Sequence, residues 1–188
     1  MTARLRRLII PMVPRRAKSA RFETALVVLV PSAEAHVSEL RRRLDPDAMP
    51  AHITVLYPFV RSSSLASDDV QLLRRTLREF EPIHFELSEI GWFDDRVVYL
   101  VPAPSTPFQD LTRLLADVFP SYRPYGGQFA EIVPHLTVAQ GASPSQLRDV
   151  ATLLTESLPI YAVASAVTLM ARNGSGKWET HTTFELGR

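Results

Sequence analysis

"PAHITVLYPF", residues 50–59, sets a histidine and a threonine two positions apart in an apolar run that reads as a strand. Side chains at i and i+2 of a strand share a face, so His52 and Thr54 point together while Ile53 and Val55 enter a core. A buried imidazole or hydroxyl without a partner costs about 1–3 kcal/mol, so the pair needs a reason. "VPHLTVAQ", residues 133–140, repeats the arrangement with His135 and Thr137 on one face and Leu136 and Val138 on the other. A lone His-x-Thr is a weak signal. A third copy in "HTT", His181 to Thr183, shows how readily it arises, and it stands as a reserve site.

Context separates the first two copies from the third. "TALVVLVP" (24–31) reads as a strand and leads into a helical pattern over 32–44 with Ser32 as its N-cap. The first His-x-Thr strand follows. Next comes a helix over 67–80, capped by Ser67 or Asp68, with Val70, Leu73, Leu77 and Phe80 on one face. A strand over 82–90 closes this half. The second half restates the order: a strand over 96–102, a helix over 105–119, the second His-x-Thr strand, a helix over 143–158 and a strand over 159–171. A turn at Asn173-Gly174 then leads to a final strand over 177–186. Each half is β-α-β-α-β. The expectation is an α+β fold of two pseudo-symmetric lobes, antiparallel sheet plus helices, around a central cleft faced by both histidine strands. The lobes are placed at about 23–92 and 93–187 of a single domain, with exchange of strands between them allowed.

The totals narrow the function classes. With 188 residues, 46% hydrophobic and 22% charged, the chain fits one soluble domain. It has no cysteine, which removes disulfides, thiolate metal sites and a cysteine nucleophile and fits a cytoplasmic protein. No apolar stretch approaches the roughly 20 residues that span a bilayer. Charge is uneven. Residues 1–22 carry seven basic groups and no acidic one, which leaves 14 basic against 20 acidic residues in the body, a net of −6. An acidic body argues against a protein that coats nucleic acid and leaves room for one that handles a small nucleotide or a terminal phosphate. The arm 1–22 is read as a disordered basic extension, with an RNA-gripping tail as the alternative.

Two imidazoles across a cleft suit phosphodiester chemistry. One neutral ring takes a proton from the attacking oxygen, and the other, as imidazolium, protonates the leaving oxygen. Each threonine hydroxyl can donate to a non-bridging phosphate oxygen. The long loop 121–134, "SYRPYGGQFAEIVP", offers further contacts: Arg123 to phosphate, Tyr125 as a stacking surface, and Gly126 and Gly127 as backbone donors. Tyr57 and Phe59 are candidate stacking rings, with wall packing as the alternative. Serine-hydrolase, Walker and dinucleotide signatures are absent, and no metal-ligand spacing accompanies the histidines.

"HITV" at 52–55 and "HLTV" at 135–138, with "PAHITVLYPF", "PYGGQFAEIVPHLTVA" and "ALVVLVP" around them, resemble the 2H phosphoesterase superfamily, in its bacterial 2′-5′ RNA ligase-like (LigT-like) branch. The resemblance covers about 23–187. It implies a bilobal fold and metal-independent opening or joining of 2′,3′-cyclic phosphate or 2′-5′ linkages, with His52 and His135 as acid/base pair and Thr54 and Thr137 on phosphate. It implies no metal and a small nucleotide or RNA terminus as substrate; the chain itself is expected to need no cofactor and no obligate protein partner and to be a monomer. A non-catalytic nucleotide-binding module on the same scaffold is the alternative, and a structural protein with satisfied polar pairs is the bland one.

Overall fold

A computed structural model describes residues 23–45 and 48–187; the basic arm 1–22 lies outside the described residues. Two four-stranded antiparallel sheets form the framework. The first is ordered β2 (His52–Leu56), β1 (Thr24–Leu29), β7 (Ala166–Arg172), β8 (Trp178–Glu185). The second is ordered β5 (Leu136–Gln140), β4 (Val97–Ala103), β3 (Ile83–Phe93), β6 (Ile160–Ala164). The fold is therefore α+β with two related sheets, and the internal duplication is visible in it. β1 and β4, β2 and β5, β7 and β3, and β8 and β6 hold equivalent places.

The boundary expected near residue 92 does not separate the sheets. It falls at the end of β3, which pairs with β4 from Glu86↔Ala103 to Phe93↔Val97 across a short turn. That turn leaves an antiparallel hairpin as the only short route, so the first half hands its last strand to the second sheet. Reciprocally, the expected single strand over 159–171 breaks at Ser165: β6 stays in the second sheet and β7 crosses to pair with β1.

The helices interlock the lobes further. α1 (Pro31–Leu44) follows β1 but packs on β5 and β6, and α4 (Pro144–Thr155) packs on β3, β4 and β5. α2 (Ser67–Arg78) packs on β8, and α3 (Thr106–Val118), which follows β4, packs on β2. Phe108, Leu111 and Leu115 of α3 are buried on the predicted stripe, and Leu73 and Leu77 do the same for α2. One continuous core results, joining Leu26, Val28 and Ile53 of the first sheet to Leu87, Leu100 and Leu136 of the second.

Three local expectations change. Val30, not Ser32, is the N-cap of α1, because Pro31 supplies a preset φ at the first helical position. Ala66 caps α2 in place of Ser67 or Asp68, with the Asp69 carboxylate accepting from the Ala66 N–H. The β7–β8 turn is longer than a two-residue Asn-Gly hairpin. Asn173 Oδ1 accepts from the N–H groups of Ser175 and Lys177, which organises a loop over 173–177.

Candidate active site

β2 and β5 are the edge strands of their sheets and lie against each other, so the two His-x-Thr motifs meet along one seam. Register puts each pair on the face away from the core. Leu29 pairs with His52 and Val27 with Thr54; Tyr99 pairs with Thr137. Residues directly opposite on paired strands share a face. The first half of the cleft is therefore floored by Val27, Leu29 and, across β1, Thr168 and Met170. The second is floored by Tyr99 and Gly91.

The two imidazoles are held identically. Nδ1 of His52 donates to the carbonyl of Pro50 at 2.7 Å, and Nδ1 of His135 donates to the carbonyl of Val133 at 2.7 Å. A carbonyl only accepts, so the proton sits on Nδ1 and each neutral ring presents Nε2 as a lone pair. The backbone before His52 is fixed by α1: the Ala51 N–H donates to Glu34, and the Ala51 carbonyl accepts from the Val30 N–H at 2.8 Å. His135 is instead walled by aromatic rings, with Phe93 edge-on at 4.8 Å and Tyr99 at 5.3 Å. Tyr99 in turn stacks on Phe93 at 4.1 Å.

These surroundings make the histidines unequal. Burial, the charge of Arg41 and, last, His135 push His52 down to about 4. His135 is also lowered, by burial, against the opposing bond to the Val133 carbonyl. Arg41 stands in the last turn of α1 with its Nη1 buried and without a hydrogen-bond partner among the described residues. Arg42 and Arg43 turn outward onto Glu39.

A stability consequence follows from the sign of the His52 shift. The unfolded chain protonates this ring around 6.5, whereas the folded chain resists until about 4. The unfolded state therefore binds more protons in that window, and stability falls as pH drops through it. Denaturant midpoints measured between pH 7 and 4 are expected to fall for the wild type and to fall less steeply for His52→Gln. Parallel curves would remove His52 from the acid response.

The remaining predicted site residues separate. Tyr125 lies in the seam: its main-chain N–H donates to the Tyr57 carbonyl at 2.6 Å and its phenol stands beside Thr54. Burial pushes that phenol up to about 12, so it stays protonated. Tyr57 turns its hydroxyl onto Glu23 at 3.0 Å and its ring edge onto Trp178 at 6.3 Å. Phe59 is buried against Phe119 and Tyr122, so it is core and not a stacking surface. Arg123, Gly126 and Gly127 lie outside the buried core, and the Gly126 N–H is already committed to the Arg123 carbonyl. His181 is exposed on the edge strand β8, while Thr183 lies 3.4 Å from Thr168. His36 and His84 are exposed on α1 and β3.

Sequence reasoning missed Glu34, Arg41, Gly91, Phe93 and Tyr99. One signal was available: a glycine inside a strand often marks a close approach. A Cβ on Gly91 would stand 2.3 Å from the Tyr99 ring, so only glycine lets that ring lie across β3. Among the described residues no group of three or more His, Cys, Asp or Glu is placed to hold a metal ion.

The profile of the 2′-5′ RNA ligase superfamily matches residues 29–176. The chain belongs to this superfamily. Relatives of matching length carry the name "Putative phosphoesterase": one from Oceanobacillus iheyensis is 27% identical over 155 residues, covering 79% of this chain and 88% of the relative. One from Bacillus pumilus is 29% identical over 169 residues, covering 86% and 96%. Among solved structures, TT0787 of Thermus thermophilus superposes with a TM-score of 0.62 at 17% identity, covering 87% of this chain and 97% of that one. Escherichia coli LigT complexed with 3′-AMP gives 0.56 at 15% identity, covering 89% and 99%. The superfamily fold thus extends over nearly all of both chains. No helix among the described residues is long and apolar enough to cross a membrane.

Proposed function

We propose that the protein is a phosphodiesterase that opens 2′,3′-cyclic phosphates or cleaves 2′-5′ linkages of RNA ends or small nucleotides, working by its two histidines without a metal ion. The observation that carries this reading is the matched setting of His52 and His135. Both Nδ1 atoms are tied to a carbonyl two residues back, and the edge strands that begin at His52 and just after His135 meet. The superfamily and the phosphoesterase names of its relatives support the reaction class. LigT, complexed with 3′-AMP, with phosphate and with ATP, supports a nucleotide as the ligand.

We draw the roles of the two rings from the asymmetry around them. His52, beside Arg41, stays neutral and takes the proton of the attacking water through Nε2. His135 has aromatic walls, so a bound phosphate anion favours its imidazolium, which gives its Nε2 proton to the departing ribose oxygen. Water adds to phosphorus, the ribose oxygen–phosphorus bond breaks, and a phosphomonoester and a free hydroxyl remain. Thr54 and Thr137 donate to the non-bridging oxygens as negative charge gathers there.

The test is a panel of 2′,3′-cyclic nucleotides and 2′-5′ dinucleotides incubated with the protein in excess EDTA. Steady turnover of at least one substrate class, unchanged by the chelator, is expected. Loss of all turnover on adding EDTA, restored by a divalent cation, would overturn the metal-free mechanism. No turnover across the panel would overturn the enzyme reading in favour of a binding module.

A further inference from the structure

The two imidazoles donate alike, but the carbonyls that accept from them belong to different kinds of peptide. The Pro50 oxygen that accepts from His52 Nδ1 at 2.7 Å is one end of the Pro50–Ala51 peptide. The other end of that same group, the Ala51 N–H, donates to the Glu34 carboxylate on α1. The Val133 oxygen that accepts from His135 Nδ1 belongs to the Val133–Pro134 peptide, and proline has no N–H to donate. The two motifs differ by this displacement of one proline, Pro-Ala-His against Val-Pro-His.

A peptide group is planar and joined by resonance, so a negative charge pulling on its N–H makes its oxygen more negative. The Pro50–Ala51 bond is trans, and its C=O and N–H therefore point to opposite sides. Carboxylate, N–H, C=O and Nδ1–H thus form one chain of hydrogen bonds from Glu34 to His52. Bonds in such a chain polarise one another, by about 10–30% each. A bond to an ionised acceptor is also roughly twice as strong as a neutral one. The Pro50 oxygen is therefore a better acceptor for the imidazole proton than an unassisted carbonyl. The surroundings hold this chain in place. The Ala51 side chain is buried in the main core, and its carbonyl accepts from the Val30 N–H at 2.8 Å. Glu34 sits partly buried in the first turn of α1.

We propose that Glu34 is a positioning residue for His52: through the Pro50–Ala51 peptide its carboxylate fixes the ring proton on Nδ1 and keeps Nε2 bare to accept the proton of the attacking oxygen. The inference rests on the phosphodiesterase reading for what Nε2 does. It adds a carboxylate-to-imidazole linkage that the second motif lacks. Glu34 touches Ala51 and not the substrate, so its effect passes through one backbone group.

A carboxylate that merely docks α1 would be replaced without loss by the isosteric amide, whose oxygen accepts from the same N–H. Glu34→Gln is therefore the first variant, and its melting temperature is expected to stay near that of the wild type. Nitrogen-15 NMR of the neutral rings reads the tautomer. Wild-type His52 is expected to show a protonated Nδ1 and a bare Nε2. In Glu34→Gln the two His52 nitrogen resonances should move toward each other, while those of His135 stay fixed. On a 2′,3′-cyclic nucleotide kcat is expected to fall about tenfold, the low end of what losing the partner behind a functional histidine costs. KM should stay within about twofold of the wild type. Unchanged His52 resonances, or shifted ones with kcat unchanged, would overturn the proposal. Ala51→Pro copies the second motif, keeping the Pro50 carbonyl and deleting the N–H. In that background Glu34→Gln is expected to leave the His52 resonances in place and to change kcat less than about twofold. A full effect there would mean that the charge acts through space, and the route through the peptide would fall. Where Ala51→Pro does not fold, Glu34→Gln decides the proposal by itself. If the wild type turns over no cyclic nucleotide, the phosphodiesterase reading falls, and the His52 resonances still decide the linkage.

Discussion

Replacing either His52 or His135 by alanine is expected to lower kcat/KM on 2′,3′-cyclic nucleotides by about 10²–10⁴-fold, the usual yield of one positioned acid or base. The double variant should be little worse than the more damaged single one, because a proton must enter on one side of phosphorus and leave on the other for either transfer to matter. Neither ring is part of the main core, and each makes one side-chain hydrogen bond to a nearby carbonyl. The variants should therefore fold, with unchanged near-UV circular dichroism. The two should also differ in pH response. Loss of His52 removes a base whose protonation limits the reaction only in acid. Loss of His135 removes the acid and should flatten the alkaline limb. Activity surviving in the double variant would sink the two-histidine mechanism.

The second large effect is expected at a residue that has no side chain. Gly91→Val should destabilise the fold by roughly 2–3 kcal/mol, at the upper end for overpacking a filled site. It should also depress turnover. The cause is geometric: a Cβ at this position meets Cε2 and Cζ of Tyr99 at 2.3 Å, and Tyr99 is nearly buried and stacked on Phe93. The ring must shift, and it already packs against His135 as well as Phe93. Gly91→Ala combined with Tyr99→Leu should be less destabilised than the sum of its parts, because the smaller side chain relieves the clash. Urea denaturation midpoints of the two single variants and the double provide the check. A Gly91→Val protein as stable as the wild type would mean that the Tyr99 ring has another resting place.

The repeated motif was legible because strand periodicity is strict. A His and a Thr two apart must share a face wherever the strand lies, and Leu136 and Val138 must face the other way. The Phe108-Leu111-Leu115 stripe was legible for the same reason, in a helical period. The ends of elements were less so. Ser32, Ser67 and Asp68 are good caps by type, but Val30 and Ala66 took the capping positions because the chain leaves the preceding strand or loop at those angles. Arg41 was hidden among three consecutive arginines. Helix rotation alone turned Arg42 and Arg43 to Glu39 and Arg41 inward to His52.

By itself, then, the sequence determined the local facts: two strands with polar pairs on one face, the helices between them, and the order in which they recur. Periodicity and side-chain chemistry are local, and they do not depend on what the strand later packs against. Only the tertiary structure decided which strands share a sheet, and it moved β3 and β7 across the expected boundary. It also decided that the turn carrying Tyr125 docks on Tyr57, that Tyr99 lies over Gly91 and that Arg41 lies near His52. Each of these joins residues apart in the chain, and such contacts are set by how whole faces pack, not by the residues' own preferences.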